Sequence, residues 1–199
     1  PLQAGRCVYG AFLDHNGQCI DDAIVYQFTD TAFMICVNAG MGGVVAQHLA
    51  GQNGGFNAGI EDLSGQLAKM DIQGKNAARI LAPLLASPES VFEKMPYFSF
   101  KGFYGDDAPV GDPVRLTDGT PILLSRSGYT GEFGFEIFIA PEKIGGLWQD
   151  LLEQGASYGI QACGLGARDS LRAGACLPLS HQDIGPWKFM NHPWDFALP

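Results

Sequence analysis

The order of strand-like and helix-like segments constrains the fold of this chain most strongly. Residues 7–13 and 19–28 each predict a β-strand, and turn-forming residues separate them at 14–17. So short a connection predicts a hairpin, in which the two strands are antiparallel neighbours. A third strand is predicted over residues 32–38. The first third of the chain therefore predicts antiparallel strands.

Helical patterns are clearer further along the chain. Residues 75–85 place apolar side chains on one stripe, and Ser87 followed by Pro88 is typical of a helix start. Within residues 141–154, apolar residues recur at helical spacing: Ile144, Leu147, Trp148, Leu151 and Leu152. Strands and helices mix without strict βαβ alternation. We therefore predict an α+β fold with mostly antiparallel sheets and packed helices.

Charge and hydropathy exclude two classes of partner. The chain has 199 residues with 12 Lys and Arg against 21 Asp and Glu, a net charge of −9. This balance argues against a protein that neutralises nucleic-acid phosphates over a broad surface. The longest uninterrupted apolar run, residues 32–37, is far shorter than the roughly 20 residues that cross a membrane. We therefore expect neither a nucleic-acid nor a membrane partner.

The cysteines indicate a compartment. The 5 cysteines are odd in number and show no C-x-x-C spacing, which favours buried reduced thiols over a disulfide framework. Reduced thiols are typical of the cytoplasm, or of the mitochondrial matrix in a eukaryote. The histidines are scattered, so we predict no metal site.

Asp22 is the first candidate for chemistry. Side chains alternate along a strand, so Asp22 shares a face with apolar residues: Ile20, Ile24, Tyr26 and Phe28. A buried carboxylate must find hydrogen-bond donors or keep its proton with a raised pKa. Two interpretations are open, a structural aspartate bonded to turn backbone, and an acid, base or ligand anchor in a dry pocket.

The segment 125–136 is the second candidate. It contains glycines at a spacing of three: Gly128, Gly131 and Gly134. Such glycines would let the backbone approach a flat ligand closely, with Tyr129 and Phe133 as stacking faces. Glu136 could accept two parallel N–H bonds from the edge of a heterocycle. The alternative is a hairpin loop without a ligand.

The third candidate is the glycine turn and helix over residues 163–172. Arg168 and Arg172 are four residues apart, so they share a helix face and could hold an anion or a carbonyl group. Structural pairing with acidic residues is the competing interpretation. Asp169 occupies the place of the third glycine in a dinucleotide fingerprint, which argues against a Rossmann site.

Together these segments resemble the aminomethyltransferase superfamily of glycine cleavage T-proteins, which use tetrahydrofolate. The segment SRSGYTGEFGFEI is close to the family signature S-R-T-G-Y-T-G-E-x-G-F-E, and CGLGARDSLR matches G-L-G-A-R-D-x-L-R. GRCVYGAFLDHNGQCIDDAIVY resembles the family's strand pair ending in two aspartates, and ICVNAG its V-N-A strand end. DIQGKNA resembles its Q-G-P helix start, with Lys75 in place of Pro.

The resemblance implies an architecture and a site. The chain would be the central portion of a three-domain cloverleaf, with residues 1–74 as the folate-binding β-rich part of the first domain. Residues 75–199 would form a second, ferredoxin-like α+β domain, and the family's N-terminal segment and C-terminal barrel are expected to be missing. The catalytic carboxylate would be Asp22. The implied folate contacts are Tyr9, Tyr26, Asn38, Tyr97, Tyr129, Glu136 and Arg168.

The implied activity is aminomethyl transfer, which moves a methylene unit to tetrahydrofolate from a lipoylated carrier protein. Segments 173–175, 180–183 and 191–198 depart from the family pattern. Because of these departures, a folate-dependent demethylase of an O-, N- or S-methyl compound is an open alternative. A non-enzymatic folate-binding protein is a further alternative, although its K-G-C-[YF]-x-G-Q-E motif does not occur in the sequence.

Overall fold

The computed structural model describes residues 2–106, 113–185 and 187–188. Its strands are β1 (Arg6–Leu13), β2 (Cys19–Gln27), β3 (Phe33–Val37), β4 (Ala68–Gln73), β5 (Phe100–Gly102), β6 (Val114–Arg115), β7 (Pro121–Ser125) and β8 (Gly134–Ile139). Its α-helices are α1 (Gly42–Gln52), α2 (Ala77–Leu81), α3 (Pro88–Phe92), α4 (Ile144–Gly155) and α5 (Leu165–Gly174). Short 3₁₀ turns cover Ala82–Leu84, Pro141–Lys143 and Ala156–Tyr158, and a π-helical turn covers Ser180–Ile184.

The strands form two sheets in which the described pairs are antiparallel. The first sheet has the order β1-β2-β3, and the second has the order β4-β8-β7-β5 with β6 paired to β7. This arrangement confirms the predicted α+β class. Strand β4 lies within residues 1–74 yet pairs with β8, so it belongs to the sheet that the later residues build.

The second sheet is covered on both faces. On one face, Ile137 and Ile139 pack in a core cluster with Leu147 and Leu151 of α4. On the other face, Phe138 joins a second cluster that includes side chains of the first sheet and of β5: Cys7, Tyr26, Phe28 and Phe100. Alternation along β8 therefore directs its even-numbered residues toward the first sheet.

Backbone hydrogen bonds hold the two sheets together at one edge. The amide of Cys7 donates to the carbonyl oxygen of Phe98 at 3.1 Å. The amide of Phe100 donates to the carbonyl oxygen of Gly5 at 3.0 Å. These bonds fix β1 beside the segment that leads into β5. The two sheets are therefore joined along this edge.

Of the two predicted longer helices, one is shortened and one is confirmed. The helix predicted over 75–85 is shortened to α2 plus a 3₁₀ turn, because Pro83 has no amide to continue the α-helical ladder. The helix predicted over 141–154 is confirmed as α4, preceded by a 3₁₀ turn. Its Leu147 and Leu151 are buried, whereas Trp148 is 39% exposed.

Across the part of the chain that the structure describes, no helix has the length and apolar character needed to cross a membrane.

Candidate functional site

A cavity of about 1700 Å³ opens between the two sheets. The residues predicted for the site that line it are Tyr9, Asp22, Asn38, Tyr97, Tyr129, Glu136 and Arg168. They come from separate strands, loops and one helix, so the fold assembles them from distant parts of the sequence. The cavity is the candidate site.

Asp22 lies at one end of this cavity and is held by two side chains. It pairs with Ala11 in the β1–β2 register, which places Tyr9 two residues away on the neighbouring strand. The Tyr9 hydroxyl donates to Oδ2 of Asp22 at 2.8 Å, and the Asn38 amide donates to Oδ1 at 2.5 Å. The partners of Asp22 are therefore cavity-lining side chains, which favours the site interpretation over a purely structural aspartate bonded to a turn.

The neighbouring Asp21 was not singled out by the sequence patterns. It is fully buried and accepts bonds from the backbone amide of Asn38 at 3.0 Å and from its side-chain amide at 2.7 Å. Asp21 thereby fixes Asn38, which in turn contacts Asp22. The only sign of this role in the sequence was that Asp21 directly precedes Asp22.

The pKa of Asp22 lies above its ordinary value. Burial raises it most, and the charge of Asp21 raises it further, while the hydrogen bonds from Tyr9 and Asn38 partly offset both effects. A carboxylate with a raised pKa is a stronger proton acceptor once ionised. Asp22 is therefore suited to exchange a proton with a bound ligand.

Glu136 lies at another part of the cavity wall and is only 3% exposed. The ammonium of Lys69 forms an ion pair with Oε1, and the Ser127 hydroxyl donates to Oε2 at 2.5 Å. Burial raises the pKa of Glu136, but the charge of Lys69 and these two hydrogen bonds outweigh it, so the pKa is lowered overall. Glu136 is consequently an ionised acceptor.

The sequence analysis did not identify Lys69, which lines the cavity, or its neighbour Asp71. Both project from β4, and Asp71 lies opposite Glu136 in the β4–β8 register. The ammonium of Lys69 is 3.7 Å from Oδ1 of Asp71. Burial raises the pKa of Asp71, and the charge of Glu136 adds to that rise. The alternation of charged and apolar residues along this strand places both on one face, but it does not indicate which strand lies beside them.

The glycines of segment 125–136 make room for protein atoms. A Cβ on Gly128 would lie 2.4 Å from Oε1 of Gln73, and one on Gly134 would lie 2.5 Å from the Ile72 carbonyl oxygen. At Gly131, where φ is +73°, a Cβ would lie 2.7 Å from that of Ala175. Close packing inside the protein therefore accounts for Gly131 and Gly134, whereas Gly128 also lines the cavity, and the interpretation that it admits a flat ligand stays open.

The two arginines of α5 have different surroundings. The guanidinium carbon of Arg168 lies 4.4 Å from the centre of the Tyr129 ring, and both residues line the cavity. Arg172 is buried and forms ion pairs with Asp169 and Asp183. Structural pairing therefore describes Arg172, while Arg168 is available to the cavity.

Two aromatic candidates lie away from the cavity surface. Tyr26 is fully buried between the sheets, with its ring 5.3 Å from that of Phe100 and 5.6 Å from that of Phe138. Phe133 packs its ring 4.1 Å from the guanidinium carbon of Arg126. Neither is among the cavity-lining residues, whereas the predicted aromatic residues Tyr97 and Tyr129 are.

The described residues do not favour a cysteine nucleophile or a metal centre at this site. Burial raises the pKa of the cavity-lining Cys36 to about 11, so its thiol stays protonated near neutral pH. The described parts of the chain contain no group of three His, Cys, Asp or Glu side chains that could hold a metal ion. The divergent segment 191–198 lies outside the described residues.

Comparisons with known proteins give a consistent result. The model of the GCVT N-terminal domain family matches residues 1–188. An aminomethyltransferase of Caldanaerobacter subterraneus subsp. tengcongensis is 35% identical and one of Bacillus cereus is 36% identical, each over 92% of this chain and 46% of the relative. The chain therefore spans about half the length of the curated relatives it matches.

Solved structures share this fold. The glycine cleavage system aminomethyltransferase T from Bartonella henselae superposes with a TM-score of 0.68 and 27% identity, covering 89% of this chain and 43% of that one. Heterotetrameric sarcosine oxidase from Corynebacterium sp. U-96 superposes with a TM-score of 0.51 over 78% of this chain and 70% of that one. Because its sequence identity is only 15%, this similarity shows a shared fold and nothing about function.

Proposed function

Because the chain belongs to the GCVT N-terminal domain family, we propose that its cavity is the tetrahydrofolate site of an aminomethyltransferase. The observation that carries this proposal is the convergence of seven predicted site residues on one cavity. The curated relatives are named aminomethyltransferases, which favours transfer of an aminomethyl-derived carbon unit.

The cavity's side chains fit the chemistry of a tetrahydropterin. Its amidine-like edge carries N–H donors, and the ionised Glu136 is an acceptor for them. Tyr97 and Tyr129 offer aromatic faces for the ring system, and Arg168 offers a cation to a polar or anionic part of the molecule. When bound, tetrahydrofolate would supply the amine nitrogen that accepts the one-carbon unit.

We assign the proton chemistry to Asp22. Its carboxylate would accept a proton released as the carbon unit is transferred, and its raised pKa suits that task. Tyr9 and Asn38 orient the carboxylate through their hydrogen bonds. For Tyr26 we propose an indirect role, in which the buried ring supports the wall behind the cavity.

Family membership also supports a proposal for the donor and the compartment. We propose that a lipoylated carrier protein presents the aminomethyl group, and that the protein acts in a reducing cytoplasm. All 5 cysteines are free, which supports such a compartment. A screen of aminomethyl donors and of O-, N- and S-methyl donors, following methylene- and methyl-tetrahydrofolate separately, would test this assignment.

Calorimetric titration of tetrahydrofolate into the full-length protein tests the site. We expect Glu136→Gln to weaken binding by about 10- to 100-fold, since a hydrogen bond to a charged group is lost. Glu132→Gln changes an exposed carboxylate in the loop just before β8 and should leave binding unchanged. Absence of binding by the unmodified protein, or equal binding by Glu136→Gln, would refute the folate site.

Turnover measurements test the role of Asp22 separately. We expect Asp22→Asn to retain tetrahydrofolate binding while its kcat falls by about 10²- to 10⁴-fold, the usual contribution of general acid–base catalysis. If the kcat of this variant equals that of the unmodified protein, Asp22 is not the catalytic carboxylate.

A further inference from the structure

Lys69 is more exposed than the carboxylate with which it pairs. Its side chain is 30% exposed, whereas that of Glu136 is 3% exposed, and both residues line the cavity. Lys69 and Asp71 share one face of β4, because the intervening Met70 packs into the core on the opposite face. A ligand that reaches this wall therefore meets an ammonium group beside the carboxylate.

The hydrogen-bonding capacity of this pair is only partly used. An ammonium group has three N–H donors, and an ionised carboxylate has about four acceptor positions. Among the described residues, Lys69 forms ion pairs with Glu136 and, at 3.7 Å, with Asp71. The oxygens of Glu136 accept from Lys69 and Ser127. One further donor and further acceptor positions therefore remain for a ligand.

The surrounding charges keep Lys69 ionised. Burial lowers the pKa of its ammonium, but the negative charges of Glu136 and Asp71 outweigh burial and raise it overall. The wall thus offers a permanent cationic donor next to an anionic acceptor. Such a pair complements a ring edge on which a carbonyl oxygen stands next to an N–H group.

We propose that Lys69 is an additional ring-binding residue, whose ammonium donates to the ring carbonyl while Glu136 accepts from the adjacent N–H. This inference rests on the proposed tetrahydrofolate site and specifies its selectivity. Lys69 makes the site prefer a 4-oxo pteridine, which has an acceptor at this position, over a 4-amino pteridine, which has a donor there. Asp71 supplies the second counter-charge that holds the ammonium at the wall.

The test compares two ligands in two proteins. Tetrahydrofolate and its 4-amino-4-deoxy analogue are titrated calorimetrically into the unmodified full-length protein and into Lys69→Met. We expect Lys69→Met to weaken tetrahydrofolate binding by about tenfold or more, and to change binding of the 4-amino analogue by less than about threefold. The ratio of the two dissociation constants is the readout, because a general loss of folded protein affects both ligands equally.

Two further variants make the result specific. Lys69→Arg keeps the cation and should retain most of the preference for the 4-oxo ligand. Lys75→Met removes an exposed lysine just after β4 and should leave both affinities unchanged. If Lys69→Met weakens both ligands equally, or neither, Lys69 acts only through the conformation of Glu136 and the inference is wrong. If the unmodified protein does not bind tetrahydrofolate, the proposed function fails first, and this inference fails with it.

Discussion

Asp22 is held by donors that come from two different neighbouring segments. The Tyr9 hydroxyl approaches it from β1, and the Asn38 amide approaches it from the end of β3. Each bond stabilises the ionised carboxylate and so lowers its pKa against the larger effect of burial. The proton affinity of Asp22 is therefore adjustable through its neighbours.

Tyr9→Phe tests this control. Without the hydroxyl, the pKa of Asp22 should rise further, because one bond to the ionised form is lost. Since turnover is proposed to require ionised Asp22, the acidic limb of the kcat–pH profile should move to higher pH. The measurement is kcat against pH at saturating tetrahydrofolate. Tyr158→Phe, at an exposed tyrosine, is the control, and an unshifted or oppositely shifted limb in Tyr9→Phe would contradict the coupling.

At this scale the sequence indicated some site residues and missed others for a physical reason. Strand alternation singled out Asp22, the glycine-rich segment 125–136 drew attention to Glu136, and the family resemblance pointed to both. Lys69 and Asp71 escaped notice because their importance arises from pairing between β4 and β8, which are far apart in the sequence. Local patterns carry no information on such pairing, so the partner of Glu136 was not predictable from its own segment.

The elements of the second sheet are joined by close backbone packing at β4 and β8. Gly134 lies opposite Gln73 in the register, and a Cβ there would meet the Ile72 carbonyl oxygen. The sequence pattern identified this glycine but assigned it to a ligand. Glycine is needed at position 134 because β4 and β8 approach closely there, and this contact exists only in the assembled sheet. By contrast, α4 was predictable, because a helix sets its own periodicity locally.

Two glycine substitutions separate the effect of close packing on stability from the effect of helix propensity. Gly134→Ala should destabilise the fold by about 1–3 kcal/mol, because the added methyl group overpacks a strand junction. Gly146→Ala lies in α4 with open space around its Cβ and should stabilise the fold by about 0.5–1 kcal/mol. Urea unfolding followed by circular dichroism measures both effects. A neutral Gly134→Ala would show that β8 shifts freely to accommodate the methyl group.

The whole molecule places its cavity where two sheets meet. Asp22 and Asn38 belong to the first sheet and its end, whereas Glu136 and Tyr129 belong to the second sheet and its loop. The α+β class with antiparallel sheets followed from the sequence pattern. The meeting of the sheets did not, because it depends on contacts such as that of β1 with residue 98.

Tetrahydrofolate should therefore stabilise both sheets together. At a free concentration of 100 times the Kd, binding to the native state adds about 2.7 kcal/mol to the free energy of unfolding. We expect the slowest-exchanging amides of β2 and β8 to gain similar protection in hydrogen exchange. Glu136→Gln should show a smaller gain at the same ligand concentration. Protection confined to one sheet would show that the ligand does not bind between them.

Tyr129 is fixed by two contacts that together limit what it can offer. Its hydroxyl donates to the Pro178 carbonyl, and the guanidinium of Arg168 covers one face of its ring. A planar ligand that stacks on this ring is therefore left with the face opposite Arg168, and the bond from the hydroxyl holds the outer end of the ring in place. Tyr129 therefore offers a stacking ligand one surface whose position is already set by Arg168 and Pro178.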